Sequence, residues 1–501
     1  MAQHILAIDQ GTTGTTCLVV KIDPAHGSVE VIGRGYAEFE QHFPQPGWVE
    51  HKLEQIWESC EKSLPKALEA AGIQGSDINA IGITNQRETV VAWSRKSGQP
   101  LCPAIVWQCR RTADFCDSLR KKRGVPAKIK RKTGLVVDAY FSASKIRWML
   151  KNVSAVKSAF KEKDLLVGTI DSFLLWKLSG GDAHKTDVTN ASRTQLLNLQ
   201  TQKWDKELLK LFDVPEEILP SVHACNDIFG ATKKIPELPD GTPISGMIGD
   251  QQSALFGQNC FKDRMAKCTF GTGSFLLMNT GKTKITSKSG LLTTIAWQLD
   301  GRPVSYALEG SSFICGAAVQ WLRDELKIIT HSAEVEEMAR KVDSADGVEF
   351  VPAFVGLGAP YWNQEARGVI SGLTRGTNRY HLCRATLEAM AMQNVDVLEA
   401  MEKDVGQKLK ILRVDGGATA NELLMQLQCD YLGVKVERPK NIESTLMGAT
   451  FMAGLGVGFW KSLDEIQKIK EMDKVFQPEM TKAQRVKRKA SWKTAIARAA
   501  L

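Results

Sequence analysis

Two short polar turns carry the residue types that proteins use to hold phosphate groups. The first is Asp9-Gln10-Gly11-Thr12-Thr13-Gly14 and the second is Gly271-Thr272-Gly273-Ser274, and each lies between two apolar runs. Glycine leaves backbone N–H groups accessible and short hydroxyls add donors, so such turns can surround phosphate oxygens. A carboxylate beside them, here Asp9, suits a hydrated magnesium ion. The first turn alone could be an ordinary polar hairpin turn, but its repetition favours phosphate binding.

A second candidate group follows the predicted strand at residues 78–84, which continues into Asn85-Gln86-Arg87-Glu88-Thr89. In an open α/β sheet, ligands bind just past the carboxyl ends of strands. An Arg–Glu pair there suits vicinal hydroxyls, which can donate to the carboxylate and accept from the guanidinium. A surface ion pair is the alternative, and the position at a strand end favours a ligand. Trp107, at the end of the next strand, is either core or the floor of a pocket for a small polyol.

The most suggestive stretch for catalysis is Gly249-Asp250-Gln251-Gln252, between a predicted strand and a predicted helix. Asp250 could accept a proton from a substrate hydroxyl, as general bases in phosphoryl transfer do. A simple helix N-cap is the alternative, and it is favoured when this stretch is considered alone.

Hydrophobic periodicity predicts alternating strands and helices as the scaffold. Each candidate turn joins two strands of a predicted hairpin. The other predicted strands are residues 78–84, 104–107, 165–169, 244–248, 348–354 and 410–414. The predicted helices are residues 51–71, 145–152, 173–178, 380–401, 421–431, 446–458 and 482–498, and Asp171 is predicted to cap the third of them. A further helix is predicted to open at residues 307–312 and to hold Gly316, Gln320 and Trp321. Residues 415–418, Asp-Gly-Gly-Ala, form a strand-to-helix turn that a flat ring or a phosphate could approach closely.

Length and composition narrow the class of protein. A chain of 501 residues is too long for one core, so two domains are expected, at residues 1–257 and 258–501. No apolar run approaches the ~20 residues of a membrane helix, and no secretory signal is recognised. Eleven cysteines without metal-ligand spacing favour free thiols and a cytoplasmic location. The net charge of +9 comes mainly from residues 120–132 and 482–498, which we interpret as solvated faces rather than nucleic-acid sites.

The pair of hairpins resembles the actin and hexokinase superfamily of ATP-using proteins, and two longer segments resemble the FGGY family of carbohydrate kinases. Residues 140–152 resemble the first family signature, with Ser142, Lys145 and Trp148 at the expected spacing. Residues 368–388 resemble the second, with Gly-Leu at 372–373 and Ala-Thr-Leu-Glu at 385–388. The resemblance extends over essentially the whole chain. It implies two actin-like (ribonuclease H-like) α/β domains that face each other across a nucleotide- and substrate-binding cleft.

Within that family, residues 85–89, 107–111 and 249–252 resemble the members that act on glycerol. The resemblance implies transfer of the ATP γ-phosphate to glycerol, giving sn-glycerol 3-phosphate and ADP, the first step of glycerol catabolism. The alternatives are a kinase for another polyol or ketopentose, and an actin-like ATPase that acts as a filament or chaperone. The protein is also expected to be a homo-oligomer, a dimer or a tetramer, without nucleic-acid or membrane partners.

The resemblance also assigns roles to residues. Asp250 is the expected catalytic base. The residues expected to bind glycerol are Arg87, Glu88, Tyr140, Asp250 and Gln251 at its hydroxyls, with Trp107 and Phe275 at its carbon edge. The residues expected to bind the nucleotide are Thr12, Thr13, Gly14, Thr272, Gly316, Gln320, Gly417 and Asn421. Asp9 and Asp250 are expected to face Mg²⁺, mostly through water.

Two departures from the family pattern carry expectations of their own. Relatives have an arginine in the first turn where Thr16 stands here, which puts one nucleotide contact in doubt. The loop at residues 235–243 lacks the arginine with which some relatives bind the inhibitor fructose 1,6-bisphosphate. We therefore expect no inhibition of that kind.

Overall fold

The chain folds into two units, which a computed structural model describes for residues 3–23, 28–363, 365–469 and 471–501. The first unit comprises Met1–Asn259, Thr293–Tyr306 and Ser444–Ile469, and the second comprises Cys260–Leu292, Ala307–Glu443 and Lys470–Leu501. Both units combine a mixed sheet with helices, which confirms the α/β class. The division of the chain at residues 257/258 stays a prediction.

The strands are β1 Gln3–Gln10, β2 Gly14–Asp23, β3 Ser28–Glu38, β4 Glu50–His51, β5 Ile78–Asn85, β6 Val90–Ser94, β7 Ala104–Ile105, β8 Leu165–Thr169, β9 Lys185–Asp187, β10 Leu197–Asn198, β11 Lys203–Trp204, β12 Ser221–His223, β13 Gly230–Ala231, β14 Pro243–Gly249, β15 Met265–Phe270, β16 Ser274–Gly281, β17 Leu292–Trp297, β18 Ser305–Ser312, β19 Glu349–Val351, β20 Val369–Ser371, β21 Ile411–Asp415, β22 Val436–Pro439 and β23 Met472–Phe476.

The helices are α1 Leu53–Ala71, α2 Ala113–Arg120, α3 Val125–Thr133, α4 Ser142–Asn152, α5 Ser154–Lys161, α6 Ile170–Leu178, α7 Val188–Ala191, α8 Lys206–Phe212, α9 Asp250–Gly257, α10 Gly316–Asp324, α11 Glu334–Ala339, α12 Arg379–Val405, α13 Glu422–Leu432, α14 Ser444–Gly456, α15 Leu463–Ile469 and α16 Lys482–Ala499. Across the described residues, we find no helix that combines the length and the apolar character needed to cross a membrane.

The main sheet of the first unit has the strand order β13-β14-β5-β1-β2-β3. The predicted hairpin is confirmed: β1 and β2 are antiparallel, and the N–H of Gly11 donates to the carbonyl of Gly14 at 2.9 Å. Strand β5 runs parallel to both β1 and β14. In this register Asp9 is opposite Thr84, and Gly249 is opposite Asn85. The sheet therefore brings the carboxyl ends of three strands, with their polar residues, to one edge.

Helix α14 packs closely on this sheet because glycines leave room for its backbone. A Cβ at Gly82 of β5 would lie 2.3 Å from the carbonyl oxygen of Ala449, and one at Gly246 of β14 would lie 2.4 Å from the nitrogen of Ala453. The helix is apolar on all sides and largely buried, as its composition of small and apolar residues requires. The prediction of a tightly packed helix at 446–458 is thus confirmed in type.

In the second unit, six strands follow the order β18-β16-β15-β21-β22-β23. The second predicted hairpin, β15 and β16, is confirmed, with Phe270 opposite Ser274. Strand β21 pairs parallel to β15, so the Asp-Gly-Gly turn that follows β21 lies at the same sheet edge as the hairpin turn. The predicted terminal helix is present as α16, and it buries Trp492 and Ile496.

Two local predictions are wrong. Residues 307–312 belong to strand β18, and the helix begins only at Gly316. A Cβ at Gly310 would lie 2.5 Å from Cγ1 of Val397 in α12, so close packing overrides the helical propensity of the Ala-Leu-Glu run. Asp171 does not cap its helix, because Thr169 occupies the N-cap position. The buried carboxyl of Asp171 instead accepts hydrogen bonds from the hydroxyls of Thr169 and Thr186, at 2.5 and 2.6 Å.

Candidate active site

The first turn contacts the predicted aromatic floor of the site. The indole Nε1 of Trp107 donates to Thr12 Oγ1 at 3.0 Å, and the Trp107 ring meets the ring of Tyr140 edge to face, with centroids 5.6 Å apart. Thr12, Trp107 and Tyr140 are all half-buried, and Thr13 is exposed. Three residues predicted from distant parts of the chain are therefore adjacent within the first unit, with polar and aromatic atoms still accessible.

Arg87 links the ends of β5 and β14. Its Nε lies 2.9 Å from Asp250 Oδ1, and its Nη1 donates to Gln252 Oε1 at 3.1 Å. A Cβ at Gly249 would lie 2.9 Å from Cγ and Cδ of Arg87, so glycine is needed where the arginine crosses the strand end. The Arg87 side chain is 2% exposed and that of Asp250 is 28% exposed, so within this ion pair the carboxylate is the accessible partner.

Asp250 is the first residue of α9, and the N-cap position is occupied by Gly249. The backbone N–H of Gln251 donates to Asp250 Oδ1 at 2.6 Å. The alternative of a simple N-cap is therefore not what the structure shows. Because the described contacts of this carboxylate use Oδ1, Oδ2 is the oxygen that can accept from a ligand.

Glu88 has an unusual backbone conformation, with φ of 63°. A residue other than glycine in this left-handed region is uncommon, and such strain often occurs at ligand sites. The conformation is held by Ser142 Oγ, which donates to the Glu88 carbonyl at 3.0 Å. Arg193 Nε donates to Glu88 Oε1 at 2.6 Å, whereas the Nε of the adjacent Arg87 is 4.0 Å from the same oxygen.

Tyr140 is held by the residues around α4. The ammonium of Lys145 donates to the carbonyls of Tyr140 and Phe141, at 2.6 and 3.3 Å. Complete burial lowers the pKa of Lys145 to about 8, and the nearby Glu88 carboxylate opposes that shift. The guanidinium of Arg193 lies 5.9 Å from the centre of the Tyr140 ring. Lys145 therefore fixes the turn before α4 from inside the protein, where no substrate can reach it.

The predicted nucleotide residues of the second unit cluster around its two glycine turns. The N–H groups of Cys315 and Gly316 donate to the carbonyls of Thr272 and Gly271 at 2.8 and 2.9 Å, so α10 begins against the hairpin turn. Thr272 and Gln320 are exposed, and Phe275 is half-buried. This arrangement leaves the hydroxyl of Thr272 accessible beside the first turn of α10.

The second glycine turn follows β21. Gly416 has φ of 90°, and a Cβ there would lie 2.5 Å from the carbonyl oxygen of Phe270, so only glycine is compatible with this position. A Cβ at Gly417 would meet nothing within 4 Å, and Asn421 caps α13 by accepting from the N–H of Leu424 at 2.8 Å. The backbone at Gly417 is thus open to a flat ligand, whereas Asn421 already has a structural task.

The donor set for a metal ion is small. Among the described residues there is no group of three or more His, Cys, Asp or Glu side chains that could enclose a metal. Asp9 lies near the carboxyl end of β1 and Asp250 lies at the start of α9, and both are at the same edge of the sheet. A pair of carboxylates fits Mg²⁺, which keeps several of its waters and takes phosphate oxygens as ligands.

Cysteine chemistry is disfavoured in the core of both units. Burial raises the pKa of the Cys17 and Cys315 thiols to about 12, so both are neutral at physiological pH. A thiol must ionise to act as a nucleophile. These cysteines are therefore packing residues.

Three buried residues that contact the candidate site are not apparent as site residues from the sequence: Gln252, Lys145 as a support for Tyr140, and Arg193. Lys145 was noted only as part of a signature, and Gln252 only as part of a motif. The sequence offers one signal for Arg193: it is a single arginine that directly follows the small residues Asn190-Ala191-Ser192. Its partner Glu88 is 105 residues away in the sequence, so no local pattern could identify the contact.

Comparisons with known proteins identify the family. The N-terminal domain of the FGGY family of carbohydrate kinases matches residues 4–257, and the C-terminal domain of that family matches residues 266–457. The chain belongs to the FGGY family of carbohydrate kinases, which confirms the expected resemblance.

Among full-length relatives, a protein described as "Glycerol kinase" from Bdellovibrio bacteriovorus is 56% identical over 499 residues, covering 99% of this chain and 99% of its own. Another with that description, from Caldanaerobacter subterraneus subsp. tengcongensis, is 53% identical and covers 100% of this chain and 99% of its own. Among solved structures, Plasmodium falciparum glycerol kinase with ADP has a TM-score of 0.92 at 37% identity, covering 100% of this chain and 98% of its own.

Proposed function

We propose that this protein is an enzyme that transfers the γ-phosphate of ATP to a terminal hydroxyl of glycerol, giving sn-glycerol 3-phosphate and ADP. Full-length identity to relatives described as glycerol kinase supports the proposal. The observation that carries it is the arrangement of Arg87, Asp250, Glu88 and Trp107 at one edge of the first sheet. A guanidinium and carboxylates beside accessible aromatic rings suit a small molecule with adjacent hydroxyls and a short carbon chain.

In this proposal the residues of the first unit bind glycerol. Arg87 and Gln251 donate to hydroxyl oxygens, and Glu88 accepts from a hydroxyl. Tyr140 contributes a hydroxyl and an aromatic face, and Trp107 borders the carbon chain; the role expected for Phe275 stays a prediction. Little covalent chemistry is required of the protein in phosphoryl transfer, so the rate depends on such positioning and on charge neutralisation.

Asp250 is the proposed general base. As the terminal hydroxyl oxygen bonds to the γ-phosphorus, its proton passes to Asp250 Oδ2 while the bond between the γ-phosphorus and the bridging oxygen of ADP breaks. Arg87 and the N–H of Gln251 hold Oδ1, so the direction of Oδ2 is set before the substrate arrives.

The proposed nucleotide contacts come from the glycine turns. Thr12, Thr13 and Gly14 supply hydroxyls and backbone N–H groups for phosphate oxygens. In the second unit Thr272, Gly316 and Gln320 do the same, and Gly417 and Asn421 border the adenosine. ADP in the Plasmodium falciparum structure supports a nucleotide of this kind. Mg²⁺, when bound, neutralises phosphate charge, and Asp9 and Asp250 would hold it through water.

The decisive experiment is a coupled assay for ADP formation with glycerol and with a panel of other polyols and ketopentoses. We expect the highest kcat/KM with glycerol and sn-glycerol 3-phosphate as the product. A higher kcat/KM with a ketopentose would be consistent with the family but would overturn the proposal that glycerol is the substrate. ADP formation that does not depend on any polyol would favour an ATPase instead.

We further propose a homo-oligomer, a dimer or a tetramer, that acts in the cytoplasm. The eleven cysteines are all free thiols, as a reducing compartment requires. Light scattering of the purified protein tests the oligomeric state, and a mass of 55.3 kDa would show a monomer and contradict it.

A further inference from the structure

A buried segment outside the predicted site contacts several of its parts. We call residues 187–194 the positioning segment: Asp187 ends β9, Val188–Ala191 form α7, and Ser192 to Thr194 form the turn that follows. Each of these eight residues is at most 5% exposed. Their polar groups bond to other parts of the protein at the strand ends around Glu88 and Asp250, so they can affect catalysis through the residues they contact.

The strongest of these contacts joins Arg193 to Glu88. Arg193 is 0% exposed, and its Nε donates to Glu88 Oε1 at 2.6 Å. Glu88 has left-handed backbone, so its side chain leaves the chain in a direction that an ordinary strand or helix would not give. A hydrogen bond between two charged groups is short and directional. Arg193 therefore restrains the direction of the Glu88 carboxylate.

The positioning segment also holds the strand that precedes Glu88. Asn190 and Asn85 exchange two hydrogen bonds, with Nδ2 to Oδ1 distances of 3.0 and 3.1 Å. Asp187 fixes Asn190 in turn, because its Oδ1 accepts from Nδ2 of Asn190 at 2.9 Å and from the backbone N–H of Asn190 at 3.1 Å. All three side chains are fully buried, so this network has no competition from solvent.

Two further contacts reach the other parts of the site. Thr189 Oγ1 accepts from the N–H of Gly249 at 2.8 Å, directly before Asp250. The carbonyl of Thr194 accepts from the N–H of Ala143 at 2.8 Å, three residues after Tyr140. One segment of eight residues is thus bonded to the end of β5, to Glu88, to the end of β14 and to the start of α4.

We propose that Arg193 is the positioning residue for Glu88 in glycerol binding, and that the positioning segment holds the surrounding strand ends in place. The inference rests on the proposed function, because it gives Glu88 a substrate hydroxyl to meet. Arg193 acts on the affinity for glycerol and not on that for ATP. Its effect depends on the presence of the Glu88 carboxylate.

The test is a double-mutant cycle with Arg193→Gln, Glu88→Gln and the double variant, with KM for glycerol, KM for ATP and kcat measured for each. Losing a charged hydrogen bond of about 1.5–3 kcal/mol corresponds to roughly a 10- to 150-fold rise in KM for glycerol. We expect Arg193→Gln to raise KM for glycerol by that order while KM for ATP stays unchanged. We expect the double variant to be no worse than the worse single variant, because both remove one interaction.

Several outcomes would overturn the proposal. One is a double variant whose KM for glycerol is the product of the two single effects. Another is an equal rise in both KM values, which would show a structural role only. If Arg193→Gln does not fold, Arg193→Lys takes its place in the cycle, since lysine keeps the charge but lacks the planar fork of donors. An unchanged KM for glycerol in that variant would also overturn the proposal.

Arg488→Gln is a matched control. Arg488 also pairs with a buried glutamate, Glu349, at 2.5 Å, but it lies on α16 of the second unit and outside the proposed site. We expect a lower melting temperature in this variant and an unchanged KM for glycerol. Calorimetric binding of glycerol to the wild-type chain distinguishes failure of the proposed function from failure of the role of Arg193. Absence of binding and turnover in the wild type would overturn the proposed function, whereas a normal wild type with a normal Arg193→Gln would overturn only the role of Arg193.

Discussion

At the scale of single residues, Asp250 combines an accessible carboxylate with a fixed direction. Asp250→Asn keeps the shape but cannot take a proton, so we expect kcat to fall by roughly 10²–10⁴-fold, with glycerol binding retained in part. Steady-state kinetics and calorimetry measure the two quantities. Asp464→Asn, an exposed aspartate in the first turn of α15, is the matched control and should have normal turnover. Near-normal turnover in Asp250→Asn would rule out its role as base.

Arg87 contacts the site through an ion pair with Asp250 and a hydrogen bond to Gln252. Arg87→Ala should raise KM for glycerol far more than KM for ATP, by roughly 10-fold or more for each lost charged hydrogen bond. Arg87→Lys should have an intermediate effect, because lysine keeps the charge but cannot reach both partners with a planar fork. Arg323→Ala, which removes an exposed ion pair with Asp324, is the control. Equal rises in both KM values would indicate a general structural role instead.

At the scale of elements, the loop between β13 and β14 supports the expectation about fructose 1,6-bisphosphate. The ammonium of Lys233 is paired with Asp182 at 2.8 Å. The backbone N–H of Lys234 donates to Asp240 at 2.6 Å, which places a carboxylate in this loop. A bisphosphate needs cationic, bidentate partners, for which arginine is suited. We expect no inhibition when the bisphosphate is titrated to low millimolar levels with Mg²⁺ in excess. Saturable inhibition that is not competitive with ATP or glycerol, and that Lys233→Ala removes, would contradict this.

An aromatic residue of α16, Trp492, packs this helix against α12, where Arg488 and Lys489 also form ion pairs with Glu388 and Glu399. Trp492 is 1% exposed, and its Nε1 donates to Asp396 Oδ2 at 2.7 Å. Trp492→Ala should destabilise the second unit by about 3–5 kcal/mol, the usual effect of removing a large buried aromatic side chain. Trp492→Phe should have a smaller effect, because most of the packing remains. Thermal unfolding measures both. Val486→Ala, at an exposed position of the same helix, is the control, and a Trp492→Ala variant as stable as this control would refute the anchoring role.

At the scale of the whole molecule, a buried acidic pair makes stability depend on pH. Burial, reinforced by the nearby Asp187 carboxylate, raises the pKa of Asp171 from 3.8 to about 7. The folded state therefore holds a proton that the unfolded chain releases above pH 3.8. Its contribution to stability is complete below that pH and is lost as the pH rises through about 7.

Asp171→Asn should flatten this part of the profile, because an amide does not titrate. Melting temperatures across that pH window, compared between wild type, Asp171→Asn and the exposed control Asp464→Asn, measure the difference. A slope in Asp171→Asn as steep as that of the wild type would show that other groups are responsible.

The sequence by itself determined the local features of the site. Glycine and threonine turns between apolar runs predict hairpins because turn chemistry is local, and both hairpins are present. Residues 85–89 and 249–252 follow strands, and the alternation of strands and helices requires a sheet edge at which they meet. The family could be recognised for the same reason, since its signatures are short and continuous in the chain.

Only the tertiary structure decided which of these residues touch and what supports them. The segment Ser444–Ile469 belongs to the first unit although it is far from the rest of that unit in the sequence. Its helix α14 packs on the sheet because Gly82 and Gly246 leave room for its backbone. Residues 307–312 favour a helix by their composition but form part of strand β18, because they pack closely against α12. The bond from Arg193 to Glu88 and the exchange between Asn190 and Asn85 each join residues 105 positions apart. Periodicity and propensity act over a few residues, so such pairs are decided by the packing of the whole unit.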